Sequence, residues 1–139
     1  MNPFHIFRRI WCIDFEFQTI PRGNPPRVIC MGAREVRTGE RFERWVDDLQ
    51  SPLIPGFDDN RDLVVAFFAS AEMECFLALE EQLPRHVLCL HAEYRLLTNG
   101  KRLLHRDNLV GAMMNMGVTP ASAIPGQMKN RLKTALLAC

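Results

Sequence analysis

The residues from Ile10 to Phe17, which read Ile-Trp-Cys-Ile-Asp-Phe-Glu-Phe, constrain the fold of this chain more than any other stretch. Their aromatic and β-branched side chains predict a strand. Asp14 and Glu16 stand two positions apart, so both carboxylates lie on one face of that strand, and the apolar side chains of Ile13 and Phe15 lie on the other. An acidic pair on an otherwise apolar strand is therefore the first feature to explain.

The acidic pair allows two interpretations. Two like charges side by side repel each other, and a divalent cation between Asp14 and Glu16 would supply the opposite charge. Alternatively, Cys12, Asp14, Glu16 and Gln18 form the solvated face of an ordinary amphipathic strand. These residues alone favour the second interpretation, so support for a cation site has to come from the rest of the chain.

Length, charge and cysteine content exclude several classes of protein. The chain has 139 residues and a net charge of +1, which predicts one globular domain without a basic field for nucleic acid. Five cysteines without a Cys-x-x-Cys pair indicate a reducing compartment and argue against zinc. Neither a signal peptide nor a membrane span is visible, so the expected location is the cytoplasm.

The first half of the chain predicts three antiparallel strands. They cover Ile10 to Phe17, Arg27 to Val36 and Arg41 to Val46, and turn signals separate them. The loop from Ser51 to Asn60 follows. The sheet is therefore expected to begin as a meander.

The second half predicts a crossover. Leu63 to Phe68 reads as a buried strand, Ser70 as a helix N-cap, Ala71 to Gln82 as an amphipathic helix, and His86 to Leu90 as a further strand. A strand, helix and strand in this order imply a right-handed connection between parallel strands.

Three further helices are predicted. They cover His91 to Thr98, a segment capped by Asp107 or Asn108 that runs through Met116, and Gly126 to Cys139. The expected fold is α/β: a mixed sheet that starts as an antiparallel meander and continues with parallel strands and crossover helices. This order is typical of ribonuclease H-like folds.

Three motifs in this order resemble the DEDD, or DnaQ-like, 3′-5′ exonucleases. Ile13-Asp14-Phe15-Glu16 is similar to the first motif of that group, and the run from Val65 to Glu72 is similar to the second, in which an acid stands in the first turn of a helix. The stretch from Val87 to Gly100 resembles the exonuclease domains at the N-terminus of bacterial and phage DNA polymerases of the polymerase I type.

The chain departs from this family in three places. Glu72 stands where most members have Asp, and Cys89 stands where an Asp is expected. The third motif, with a late Asp and a preceding Tyr or His, has no counterpart, because no Asp follows Asp107 and Tyr94 is the only tyrosine. The resemblance therefore implies one exonuclease-like domain over residues 1–139 that is incomplete at its C-terminal end.

The resemblance implies roles for three acids. Asp14 would bridge two Mg²⁺ or Mn²⁺ ions, Glu16 would hold the ion that activates water, and Glu72 would support the other ion. Three acids balance only three of four positive charges, so we expect at most one tightly held cation. The alternative for Glu72 is a favourable interaction with the helix dipole.

The expected substrate is single-stranded DNA or a DNA 3′ end, with Arg95 and Asn99 facing its phosphates. A solvated helix face explains these two residues equally well. The expected function is proofreading-type 3′-5′ exonuclease activity, impaired by the missing motif. The alternatives are a non-catalytic module that binds nucleic acid or protein, and a gene remnant without a selected function.

Overall fold

The computed structural model describes residues 3–21 and 23–118. It is a mixed α/β structure in which the strands come first and most of the helices later. The five strands are β1 (Arg9–Gln18), β2 (Arg27–Glu35), β3 (Arg41–Trp45), β4 (Asp62–Ala66) and β5 (Val87–Cys89). The α-helices are α1 (Ala69–Ala78), α2 (Leu90–Thr98) and α3 (Leu109–Asn115), and 3₁₀ turns cover Pro3–Ile6 and Val46–Asp48.

The five strands form one sheet in the order β3-β2-β1-β4-β5. Strand β1 pairs antiparallel with β2, which pairs antiparallel with β3. On its other side β1 pairs parallel with β4, which pairs parallel with β5. The predicted meander and the predicted parallel pair are both confirmed, and the acidic strand β1 lies at the centre of the sheet.

The main core lies between the inner face of the sheet and helix α1. Trp11, Ile13 and Phe15 are buried on that face, where Phe15 meets Phe76 of α1 edge-on with ring centroids 5.6 Å apart. Burying a large apolar side chain stabilises a fold by about 1.5–3 kcal/mol. The alternation in β1 therefore leaves the other face of that strand free to carry polar groups.

Two buried carboxylates hold β1 in place. Glu35 accepts hydrogen bonds from the backbone nitrogens of Ile10, Arg37 and Thr38. Asp62 accepts two bonds from the Arg8 guanidinium, at 2.8 and 2.6 Å. The bonds of Glu35 link β2 to β1, and those of Asp62 link β4 to Arg8, the residue that precedes β1.

Helix α1 has different ends from those predicted. Ser70 is not its N-cap, because the helix already begins at Ala69, whose side chain is buried in the core. At the other end a Schellman-type turn stops the helix at Ala78: the Glu80 nitrogen bonds Leu77 O and the Glu81 nitrogen bonds Phe76 O. The apolar periodicity continues beyond that turn, which explains why the sequence suggested a longer helix.

The chain divides into two compact units, Met1–Leu97 and Thr98–Cys139. In the second unit, Asn108 caps α3 by accepting a bond from the Gly111 nitrogen at 2.8 Å. Gly111 has no room for a side chain, because a Cβ would collide with the Arg106 carbonyl. The predicted helix from Gly126 to Cys139 lies outside the described residues, and a single domain over residues 1–139 stays a prediction.

Candidate functional site

Asp14 and Glu16 lie on the outer face of β1, and both are exposed. Asp14 stands opposite Gly32 of β2 and Glu16 stands opposite Cys30, with a register shift directly after Glu16. The predicted geometry of the pair is confirmed: both carboxylates share one face of the strand. The face is open to a ligand at this point, because the residue opposite Asp14 has no side chain.

Glu72 is buried, with 5% of its surface exposed, and lies in the first turn of α1. Its Oε2 atom accepts a hydrogen bond of 2.8 Å from the backbone nitrogen of Phe15. The parallel pairing of β1 with β4 extends only to the partners Cys12 and Val65. Glu72 thus supplies an acceptor to β1 beyond the point where the pairing with β4 stops.

The three acids interact electrostatically. Burial, the charge of Asp14 and that of Glu16 raise the pKa of Glu72 to about 7, against the opposing effect of the Phe15 hydrogen bond. Desolvation raises the pKa of Asp14, and desolvation followed by the Asp14 charge raises that of Glu16. Each carboxylate thus becomes harder to ionise, which is the condition that a bound cation would relieve.

The carboxylates of this cluster form no ion pairs in the described part of the chain. Within residues 3–21 and 23–118, neither arginine nor lysine forms an ion pair with Asp14, Glu16 or Glu72. Over the same residues, no group of three or more His, Cys, Asp or Glu side chains is arranged so that it could hold a metal ion. The cluster is a set of interacting carboxylates without a preformed three-ligand metal cage.

The residues predicted to contact substrate are exposed. Arg95 is an exposed residue of α2 in the first compact unit, and Asn99 is an exposed residue of the second. Their exposure is compatible with both interpretations of these residues, and their role in substrate binding stays a prediction.

An aromatic group follows strand β4. Phe68 is 50% exposed, and its ring centroid lies 4.8 Å from that of His91 in α2. The ring centroid of Phe67 lies 5.5 Å from that of the same imidazole. Phe68 lies outside the core, because β4 ends at Ala66 and the chain turns there so that Ala69 faces the core instead.

The described cysteines are free thiols. Cys75 is buried and has its pKa raised to about 12, by burial and then by the charges of Glu72 and Glu74. Cys89, at the position where the family has Asp, lies 3.6 Å from the carbonyl of Phe67 and can donate its S–H there. Cys12 is exposed on the outer face of β1, the face that it shares with Asp14 and Glu16.

Sequence reasoning missed the neighbours of the acidic pair on β2 and β3. The register places Arg34 opposite both Cys12 and Arg41, and it places Glu43 opposite Gly32. The alternation of polar residues in both strands was a usable signal. It became informative only once the pairing register was known, because a shift by one residue moves every side chain to the other face.

Comparisons of this chain with protein-family models, with curated proteins and with solved structures find no match. In the described part of the chain, the helices are all too short or too polar to cross a membrane. The function therefore has to be argued from the site itself.

Proposed function

We propose that this chain is a ribonuclease H-like domain of the 3′-5′ exonuclease type, which hydrolyses DNA phosphodiester bonds with a divalent cation at a reduced rate. The observation that carries the proposal is the coupling of three acids from distant positions. Burial raises the pKa of Asp14, Glu16 and Glu72; the charge of Asp14 raises that of Glu16 further, and both β1 acids raise that of Glu72. None of the three forms an ion pair with a cationic side chain among the described residues.

The sheet supports the proposed fold. An acidic central strand, flanked by an antiparallel meander on one side and parallel strands on the other, is the arrangement expected of a ribonuclease H-like domain. The helix that follows β4 carries the third acid in its first turn, as the second exonuclease motif requires. Fold alone does not establish activity, so the site has to carry the functional argument.

The donor set fits Mg²⁺ or Mn²⁺ in kind. Magnesium is commonly held by one or two carboxylates together with waters and substrate phosphates. Asp14 and Glu16 are exposed and can supply those carboxylates, whereas Glu72 has one oxygen engaged by Phe15. A cation bound there would lower the pKa of a water molecule and offset charge on the departing oxygen.

The protein's own residues contribute position and charge. Asp14 and Glu16 are held at fixed spacing by the β1–β2 ladder, which orients both carboxylates before substrate arrives. Glu72 accepts the hydrogen bond from the Phe15 nitrogen and so fixes the backbone between the two acids. With one oxygen engaged, Glu72 contributes less to cation binding than a free carboxylate would, and this supports a reduced rate.

The second candidate function is a non-catalytic module that binds a nucleic-acid end or a protein. The specific observation in its favour is that no preformed group of three ligands for a metal occurs in residues 3–21 and 23–118. For either function we place the protein in the cytoplasm, and the free thiols at Cys12, Cys30, Cys75 and Cys89 support a reducing compartment.

A nuclease assay separates the two functions. A 5′-labelled single-stranded DNA is incubated with the protein and Mn²⁺, and products are resolved by length. We expect stepwise shortening from the 3′ end, reduced more than about 100-fold in Asp14→Ala and about 10–100-fold in Glu72→Gln.

The matched control is Glu74→Gln, an exposed acid on the same helix, two residues from Glu72. This variant is expected to cut at the wild-type rate. Binding of the DNA without shortening would favour the module, and equal shortening by wild type and Asp14→Ala would reject the proposed site.

A further inference from the structure

A shallow groove of about 260 Å³ runs across the outer face of strands β1, β2 and β3. Two rows of side chains line it. One row places Cys12, Arg34 and Arg41 side by side, and the next places Asp14, Gly32 and Glu43 side by side. The groove thus carries a basic row directly beside a row that contains the proposed catalytic acid.

The basic row holds two unpaired like charges. Arg34 and Arg41 are direct cross-strand partners, and both are exposed. Over the described residues neither guanidinium forms an ion pair. Like charges directly opposite each other on a sheet are destabilising, so this pair costs free energy that a bound anion would offset.

Gly32 leaves the floor of the groove open between Asp14 and Glu43. A Cβ built at Gly32 meets nothing within 4 Å, and the backbone there is ordinary strand. The absence of a side chain is therefore not required by the fold. It provides space for a ligand next to Asp14.

We infer that this groove binds a single strand of nucleic acid, with one phosphate on Arg34 and Arg41 and the neighbouring phosphate next to Asp14 and Glu16, where the proposed cation would offset the negative charges. Residues two apart on a strand are separated by about 7 Å, which is similar to the spacing of successive phosphates along a nucleic-acid chain. Arginine presents a planar set of donors that suits phosphate oxygens. The inference rests on the proposed function, since it takes the substrate to be a phosphodiester strand.

Fluorescence anisotropy of a labelled oligothymidylate, with EDTA present and salt varied, tests the groove without any cation or cleavage. Each phosphate contact adds about 0.7 to the slope of log affinity against log salt for a single strand. We expect the double variant Arg34→Gln/Arg41→Gln to lower that slope by about 0.7, since the two arginines share one phosphate, and each single variant to lower it by part of that amount. Arg44→Gln is the matched control on β3, because Arg44 lies on the opposite face against Phe42 and is expected to leave the slope unchanged.

Gly32→Val tests the groove by filling it. Because nothing lies within reach of the new side chain and valine suits a strand, we expect an unchanged thermal unfolding midpoint and oligonucleotide affinity at least 10-fold lower. A midpoint that stays the same together with unchanged affinity would overturn the inference.

The outcomes for this inference and for the proposed function are distinct. Lower salt slopes in the two arginine variants support the groove even if the wild type never shortens DNA. If Asp14→Ala abolishes shortening but the slopes of the arginine variants equal that of the wild type, the groove is overturned and the proposed function stands. An affinity for a polyglutamate peptide equal to that for the oligothymidylate would also overturn the inference, because the groove would then select acidic charge and not a phosphodiester strand.

Discussion

The Oε2 atom of Glu72 lies 2.8 Å from the backbone nitrogen of Phe15. This bond joins the first turn of α1 to the central strand between the two residues of the acidic pair. It brings a third carboxylate to Asp14 and Glu16 and also engages one of its oxygens. The electrostatics of the site and the stability of the strand are therefore linked through a single side chain.

Glu72→Ala is expected to destabilise the protein by about 1–3 kcal/mol at pH 5, because it leaves the buried Phe15 N–H without an acceptor. Glu72→Gln keeps an acceptor oxygen and is expected to lose much less. Urea unfolding measures both. Glu74→Ala, an exposed change on the same helix, is the control, and an equal loss in Glu74→Ala and Glu72→Ala would contradict the role of the bond.

The stability of the protein is expected to fall as pH rises between about 4.5 and 7, owing to Glu72. Its folded-state pKa is raised from 4.5 to about 7 by burial and by the neighbouring acids, so the folded state binds more protons than the unfolded state in this window. The stabilisation is fully present below 4.5 and is lost as pH passes 7. Thermal unfolding of wild type and Glu72→Gln across this range checks the prediction, and parallel pH profiles would refute it.

The contribution of Glu35 to the stability of the protein is expected to have the opposite pH dependence. Burial raises its pKa, but hydrogen bonds from Ile10, Thr38 and Arg37 outweigh burial and lower it to about 2. Its contribution is therefore present above 4.5 and lost as pH falls towards 2. Acid unfolding followed by circular dichroism should show a shallower loss of stability in Glu35→Gln than in wild type, from a lower starting value. A steeper loss in the variant would argue against the assignment.

Asp14→Asn should make the cation-free protein more stable at pH 8 and insensitive to Mn²⁺. Removing this charge relieves its repulsion with Glu16 and Glu72, but it also removes a ligand. The wild type should gain about 2.7 kcal/mol when free Mn²⁺ is 100 times its dissociation constant. Glu43→Gln, on the same face, is expected to retain most of that gain. Thermal unfolding with and without Mn²⁺ checks the prediction, and a Mn²⁺ response in Asp14→Asn equal to that of wild type would reject Asp14 as a ligand.

Glu80→Gly is expected to stabilise the protein by about 1 kcal/mol. Glu80 has a φ of 57°, a left-handed conformation that costs a residue with a Cβ about 1–2 kcal/mol and costs glycine nothing in sterics. Urea unfolding checks the gain. Glu81→Gly serves as the control, because Glu81 is not among the residues with positive φ and should gain nothing.

Sequence patterns alone determined the order and type of the described strands and α-helices, but not the two 3₁₀ turns. The alternation in β1 placed Asp14 and Glu16 on one face, since side chains of a strand point alternately to its two sides. The order of strands and helices determined the meander and the parallel pair, because connection length and handedness leave few alternatives. The ends of α1 were predicted less well, since periodicity does not encode the Schellman turn at Glu80.

Tertiary structure alone decided which distant residues meet. The bond from Phe15 to Glu72, the burial of Glu35, and the row formed by Arg34 and Arg41 all depend on register and on packing between elements far apart in the chain. Local propensity carries no information about such distances, because it depends on neighbours in sequence, whereas register depends on which face of each strand is buried against the rest of the fold. The sequence therefore specified the acidic strand, and the packing of the sheet and α1 decided which groups surround it.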